Sequence, residues 1–279
     1  MTARGSLIPW LILCYAFLYL PVVFLIVFSF NESRSVTVWS GFSWRWYIAL
    51  FHDAALLEAA WLSLRVAALS ATLALAVGAA AGLALARFGR FPARGLFEAA
   101  LFAPLVLPEV ITGLALLLLF VMTRRLFGWP GERGAGTVTL AHASVAAAYV
   151  AVIVQARLAG MGVALEEAAA DLYAPPWVVF TRVTMPLLTP ALASGWLLAF
   201  TLSLDDVVVA SFTSGPGAAT LPMRVFSATR LGVTPEIYAL ASVTLAGVAC
   251  GLAAVGLAWA GGGRYWKSVR GKTRKALLF

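Results

Sequence analysis

Three acids stand inside apolar runs: Glu109 in LPEVITG, and the adjacent Asp205 and Asp206 in LSLDDVVVA. An ionisable group is expensive inside a bilayer and usually marks a functional path. A carboxylate there offers oxygens to a cation. Thr201 lies one helical turn before Asp205, and Ser203 three residues before Asp206, so hydroxyls share a face with at least one acid. Successive helical residues point about 100° apart, so both aspartates need not face one pathway. The same acids have structural uses. Asp205 or Asp206 would pair with Arg65 or cap a broken helix, and Glu109 would satisfy freed backbone at a kink behind Pro108. His142 reads as a packed, hydrogen-bonded histidine, and Arg65 as an outer-face anchor.

A second group of acids lies in a polar interruption. Glu166, Glu167 and Asp171 open the segment LEEAAADLYAPPWVVFTRVTMPLLTP, Leu165 to Pro190. Acids suit a helix N-terminus. Val178, Val179, Val183 and Met185 follow, and Pro186 and Pro190 restart the chain, so this is a short amphipathic element. No phosphate-binding loop, zinc pattern or Ser/His/Asp set occurs, so no catalytic or metal-ligating residue is assigned. Cys14 and Cys250 both fall in apolar runs and lack the spacing of a metal pair.

Membrane helices must position these groups. The 279 residues are 62% hydrophobic and 11% charged, against about 25% charged in ordinary soluble domains. The expected fold is an all-α integral membrane bundle of six transmembrane helices in one domain, residues 1–279. Runs near the required ~20 residues are Leu7–Phe30, Leu62–Leu85, Leu96–Met122, Val138–Val154, Leu188–Phe212 and Ile237–Ala260, with a cytoplasmic loop over 161–187. Gly78 and Gly82, and Gly247 and Gly251, are small pairs four apart that suit close packing. Arg87, Arg90, Arg94, Arg157, Arg182 and the basic C-terminal tail fall on the side of the N-terminus, so the positive-inside rule places both termini in the cytoplasm. The net charge of +8 is read as topology signal and contact with membrane lipids, not nucleic acid. Asn31–Trp61, rich in aromatics, and Ser214–Glu236 form the longest outer connections, connectors or docking surfaces alike. The second contains the short apolar stretch Leu221–Phe226.

The polar interruption resembles the EAA loop of ABC importer permeases: E-A-A, three residues, G, nine residues, I-x-L-P. Glu167, Ala168 and Ala169 fill the first part, and Val183-Thr184-Met185-Pro186 the last, at the family's spacing. Tyr173 stands where the pattern carries glycine. A tyrosine resists the left-handed backbone, while the next residues, Ala174-Pro175-Pro176, can still break a helix. Leu107-Pro108-Glu109-Val110-Ile111-Thr112-Gly113, Ser194 through Asp206, and Ser214-Gly215-Pro216-Gly217 through Ser227 are similar to the second-type permease subunits of putrescine and spermidine importers.

The resemblance implies a transport subunit that is not an enzyme, in a bacterial inner membrane, forming half of a polyamine pathway. It implies a second homologous permease, two ATP-binding subunits carrying ATP and magnesium, and a periplasmic substrate-binding protein, with no cofactor in this chain. Glu166, Glu167, Ala168, Ala169, Asp171, Tyr173 and Pro186 would couple to the ATPase. Glu109, Ser203, Asp205 and Asp206 would serve the pathway. Permeation of another small solute is the alternative within the family; an ion-coupled transporter is another class, expected to carry matching broken helices in two halves, which the sequence does not display.

Overall fold

The computed structural model describes residues 3–35, 38–232, 234–251 and 253. Among them five helices are long and apolar enough to cross a membrane: Ile8–Phe28, Ala54–Arg87, Glu109–Phe127, Ala135–Met161 and Pro176–Asp205. A sixth apolar helix, Pro235–Gly251, is shorter. No strand occurs among the described residues beyond one isolated bridge, Asn31 to Phe42. The all-α membrane fold with room for six spans thus matches the expectation. Beyond Gly251, the expected sixth span runs outside the described residues save Ala253.

The helices are α1 (Ala3–Phe28), α2 (Arg45–His52), α3 (Ala54–Arg87), α4 (Arg94–Val106), α5 (Glu109–Phe127), α6 (Ala135–Met161), α7 (Ala164–Asp171), α8 (Pro176–Val179), α9 (Met185–Asp205), α10 (Val208–Thr213), α11 (Leu221–Leu231) and α12 (Pro235–Gly251). A π-helical turn, Phe180–Thr184, joins α8 to α9. The chain forms two compact units, Ala54–Ser227 and the remainder.

The larger unit is built on α3, α6 and α9. On α3, Ala67, Ala71, Ala74, Gly78, Ala81, Gly82 and Leu85 recur at three- and four-residue steps and are buried, one face of a 3.6-residue helix. They meet Ala147, Val150, Ala151, Val154 and Leu158 of α6, and Leu188 and Ala199 of α9 complete the core. In lipid, small residues let backbones approach closely. A Cβ added at Gly78 would lie 2.5 Å from the Ala147 carbonyl oxygen, and one at Gly82 would lie 2.8 Å from that of Ala151. The pair thus sets the α3–α6 distance. A Cβ added at Gly247 or Gly251 would meet nothing within 4 Å among the described residues outside its own turn of helix. Large apolar side chains face outward, Val106 and Phe127 among them, which suits lipid as the solvent.

Two expected spans are interrupted. The run Leu96–Met122 is two helices, α4 and α5, with Leu107 extended at φ −77°, ψ 140°. Pro108 causes this: it has no N–H for the preceding turn and drives the residue before it out of the helical region. Glu109 therefore opens a helix instead of lying mid-span. The run Leu188–Phe212 breaks at Asp206, extended at φ −67°, ψ 126°, and resumes as α10. The Asp206 carboxylate accepts the Ala210 N–H at 2.9 Å. Apolarity continues through both breaks, so hydropathy hides them.

In the other unit, the start of the long connection after α1 is folded. The Asn31 side chain donates to the Ser35 and Val38 carbonyls at 2.9 and 2.7 Å, and Trp46 Nε1 donates to the Asn31 carbonyl at 2.6 Å. Phe30, Phe42, Trp44 and Tyr47 stack beside it.

Candidate functional site

The two breaks come together. A cavity is lined by Glu109 from the start of α5, His142 and Tyr149 from α6, Ser203 from α9, and Asp206 from the gap before α10, with Val145, Ala146, Leu202 and Val209 as its apolar wall. The approach of α5 to α10 is fixed by a glycine. A Cβ at Gly113 would fall 2.7 Å from the Phe212 ring, so only glycine seats α5 this closely. Thr137 Oγ1 donates to the Thr213 carbonyl at 2.7 Å and ties α10 to α6.

Within the cavity His142 is buried, with Nδ1 2.7 Å from Ser203 Oγ and Nε2 3.5 Å from Asp206 Oδ1. The second distance is too long for a well-formed hydrogen bond, so Asp206 keeps acceptor capacity beyond its cap to Ala210. The carbonyl end of α9 adds partial negative charge there, and the N-terminus of α5 at Glu109 adds partial positive charge. Carboxylates and a hydroxyl beside a strip of aliphatic wall match the chemistry of an alkylammonium.

Three of the four pathway residues named from sequence, Glu109, Ser203 and Asp206, line this cavity. Asp205 does not: it ends α9 and is exposed. Arg65 lies over the Trp61 ring at 5.9 Å and takes neither aspartate as a partner. Tyr149 went unnoticed, although it follows His142 by seven residues, two turns on one helix face. His142 is packed and hydrogen-bonded, and lines the cavity as well.

The second constellation is the short helix α7 and the turn after it. Both oxygens of Glu166 are engaged inward: Oε2 is 2.9 Å from Arg87 Nε, and Oε1 accepts from Thr184 Oγ1 at 2.8 Å. Glu167, Ala168 and Asp171 face outward, Ala169 is half-buried and Pro186 is exposed in the first turn of α9. Leu172, Tyr173 and Trp177 are 83%, 97% and 71% exposed, an apolar patch beside the free acids.

Tyr173 takes the left-handed conformation, φ 59°, despite its side chain. Its N–H bonds the Ala170 carbonyl at 2.9 Å, and the Ala174 N–H bonds that of Ala169 at 3.3 Å. This is the Schellman pairing that closes a helix, usually around glycine. The turn at this position keeps the geometry that glycine would give, and Pro175 and Pro176 prevent the helix from continuing. The strain is about 1–2 kcal/mol. Tyr173→Gly should release it and slow amide hydrogen exchange at Tyr173 and Ala174 by about fivefold; unchanged or faster exchange would show that the tyrosine ring stabilises the turn.

The comparisons with known proteins bear on the whole arrangement. The chain is 53% identical over 244 residues to the putrescine transport system permease protein PotI of Escherichia coli strain K12, covering 86% of this chain and 87% of that one. It is 40% identical over 231 residues to the spermidine/putrescine transport system permease protein PotC of Haemophilus influenzae, covering 83% and 87%. In fold it is similar to a bacterial alginate ABC transporter solved in complex with alginate pentasaccharide-bound periplasmic protein, with TM-score 0.67, 18% identity and coverage of 88% and 89%. The profile described as "Binding-protein-dependent transport system inner membrane component" matches residues 73–259. With an all-α membrane fold, two close permease relatives and a profile spanning most of the bundle, the chain belongs to the family of binding-protein-dependent transport system inner membrane components.

Proposed function

We propose that this chain forms one half of the translocation pathway of an ATP-driven polyamine importer, with putrescine its foremost substrate. The observation that carries the reading is the cavity at the two helix breaks, where Glu109 and Asp206 present carboxylates to an aliphatic wall. An alkyl diamine pairs charge with charge and methylene with methylene there. The relative named for putrescine alone is more similar than the one named for spermidine and putrescine, which favours the shorter cation.

A second homologous permease completes the pathway, and a periplasmic binding protein delivers the cation at the outer side. Two ATP-binding subunits hold ATP and magnesium and carry out the hydrolysis. The outward acids Glu167 and Asp171, with Ala168, Leu172, Tyr173 and Trp177, form the face that docks on an ATPase subunit, and both termini lie in the cytoplasm. Closure of the ATPases moves this face and the helices behind it as a rigid body, which switches access from one side to the other.

Competition against labelled putrescine uptake tests the substrate class. Unlabelled putrescine should compete best, spermidine more weakly and inorganic phosphate not at all, since an anion suits a basic pathway. Displacement by phosphate equal to that by putrescine would refute the polyamine reading.

A further inference from the structure

We propose that Glu166 and Arg87 form an internal clamp that transmits the movement of α7 to the membrane helices, and that Glu166 is not itself part of the docking face. The inference rests on the coupling role given above to α7. Four elements meet at this pair. Arg87 is the last residue of α3. Its Nη2 donates to the Gly162 carbonyl at 2.7 Å, just beyond the end of α6, and at 3.4 Å to that of Leu158 within it. Its Nε faces Glu166 of α7 at 2.9 Å, and the other Glu166 oxygen accepts from Thr184, buried in the π-turn leading into α9.

The placement of the clamp decides its effect. The three helices whose ends it gathers, α3, α6 and α9, are the core of the larger unit. The α3 helix runs 34 residues, about 50 Å at 1.5 Å per residue. Near its far end Ser63 Oγ accepts the Leu221 N–H at 2.7 Å. A push on α7 thus meets a lever anchored at both ends. The Arg87 and Glu166 side chains are 17% and 19% exposed. A pair shielded this far is screened less than a surface pair, and losing one partner strands the other. The π-turn widens the helix where Thr184 must reach Glu166, and such turns often mark functional positions. Glu167, one residue on, has neither partner and points outward.

Glu166 is therefore a positioning residue, and its loss should separate hydrolysis from transport. The full transporter, with its partner permease, ATPase subunits and binding protein, is reconstituted in vesicles with labelled putrescine, and ATP hydrolysed and putrescine taken up are measured in one sample. Glu166→Gln and Arg87→Gln should retain the ATPase subunits but move about tenfold less putrescine per ATP. The exchanged pair Arg87→Glu with Glu166→Arg should recover a substantial part, and Thr184→Val should give a smaller loss. Glu167→Lys should instead shed the ATPase subunits; if it leaves assembly and uptake intact, the docking reading fails, while the ratio in the Glu166 variant still judges the clamp. A normal ratio in Glu166→Gln, or release of the ATPase subunits by that variant, would overturn the clamp. Amide exchange across α7 gives a readout independent of transport: it should rise about tenfold in Glu166→Gln and stay unchanged in Glu167→Gln, and an equal response of the two would also overturn it.

Discussion

Glu167→Lys should abolish uptake, with a fall of about a hundredfold or more, while the chain still inserts and folds. Glu167 lies in the first turn of α7, is exposed and belongs to no ion pair among the described residues. Its carboxylate is thus free for a partner and supports no internal contact. A lysine in its place is a charge buried without a partner in that interface, which costs about 3–5 kcal/mol, and each 1.4 kcal/mol is a factor of ten in binding. A lysine at a helix N-terminus adds an unfavourable dipole contribution of only about 0.3–1 kcal/mol, too little to unfold a span. Co-purification of the ATPase subunit with tagged permease measures the effect. Retention of the subunit together with normal uptake would remove Glu167 from the interface.

The second large effect belongs to the cavity. Glu109→Gln combined with Asp206→Asn should reduce putrescine uptake by about a hundredfold, because each lost charge-assisted contact is worth about 1.5–3 kcal/mol. The asparagine keeps an acceptor for the Ala210 N–H, so the start of α10 survives. Asp205→Asn provides the contrast. Asp205 lies outside the cavity wall, so its neutralisation should change uptake by less than about threefold, well short of the tenfold that 1.4 kcal/mol gives. Initial rates over a range of putrescine concentrations check both variants. Equal losses from Asp205→Asn and Asp206→Asn would show that the cavity does not discriminate between them.

Sequence reading succeeded where one physical signal dominates. Apolar runs located the spans, because the bilayer demands them, and the spacing from Glu167 to Pro186 marked out the short helix and turn between α6 and α9. Breaks inside apolar runs were harder. The Pro108 break has a local cause that sequence displays, yet hydropathy averages across it. At Asp206 a carboxylate reaches forward to the Ala210 N–H in the first turn of α10, which composition does not reveal. Tyr173 went against local propensity: proximity of Pro175 and two backbone bonds hold it left-handed against its preference. The division of labour between Glu166 and Glu167 was beyond sequence altogether. Two adjacent glutamates look equivalent until Arg87, far off in the chain, takes one of them inward.

The central claim is that an ATPase partner drives a cation along this chain's pathway. Putrescine accumulation in vesicles holding the complete transporter, with ATP supplied to the ATPase side and the binding protein on the other, tests it most directly. Accumulation should require ATP and the binding protein and persist when an ionophore collapses the proton gradient. Accumulation driven by an imposed proton gradient without ATP would contradict it.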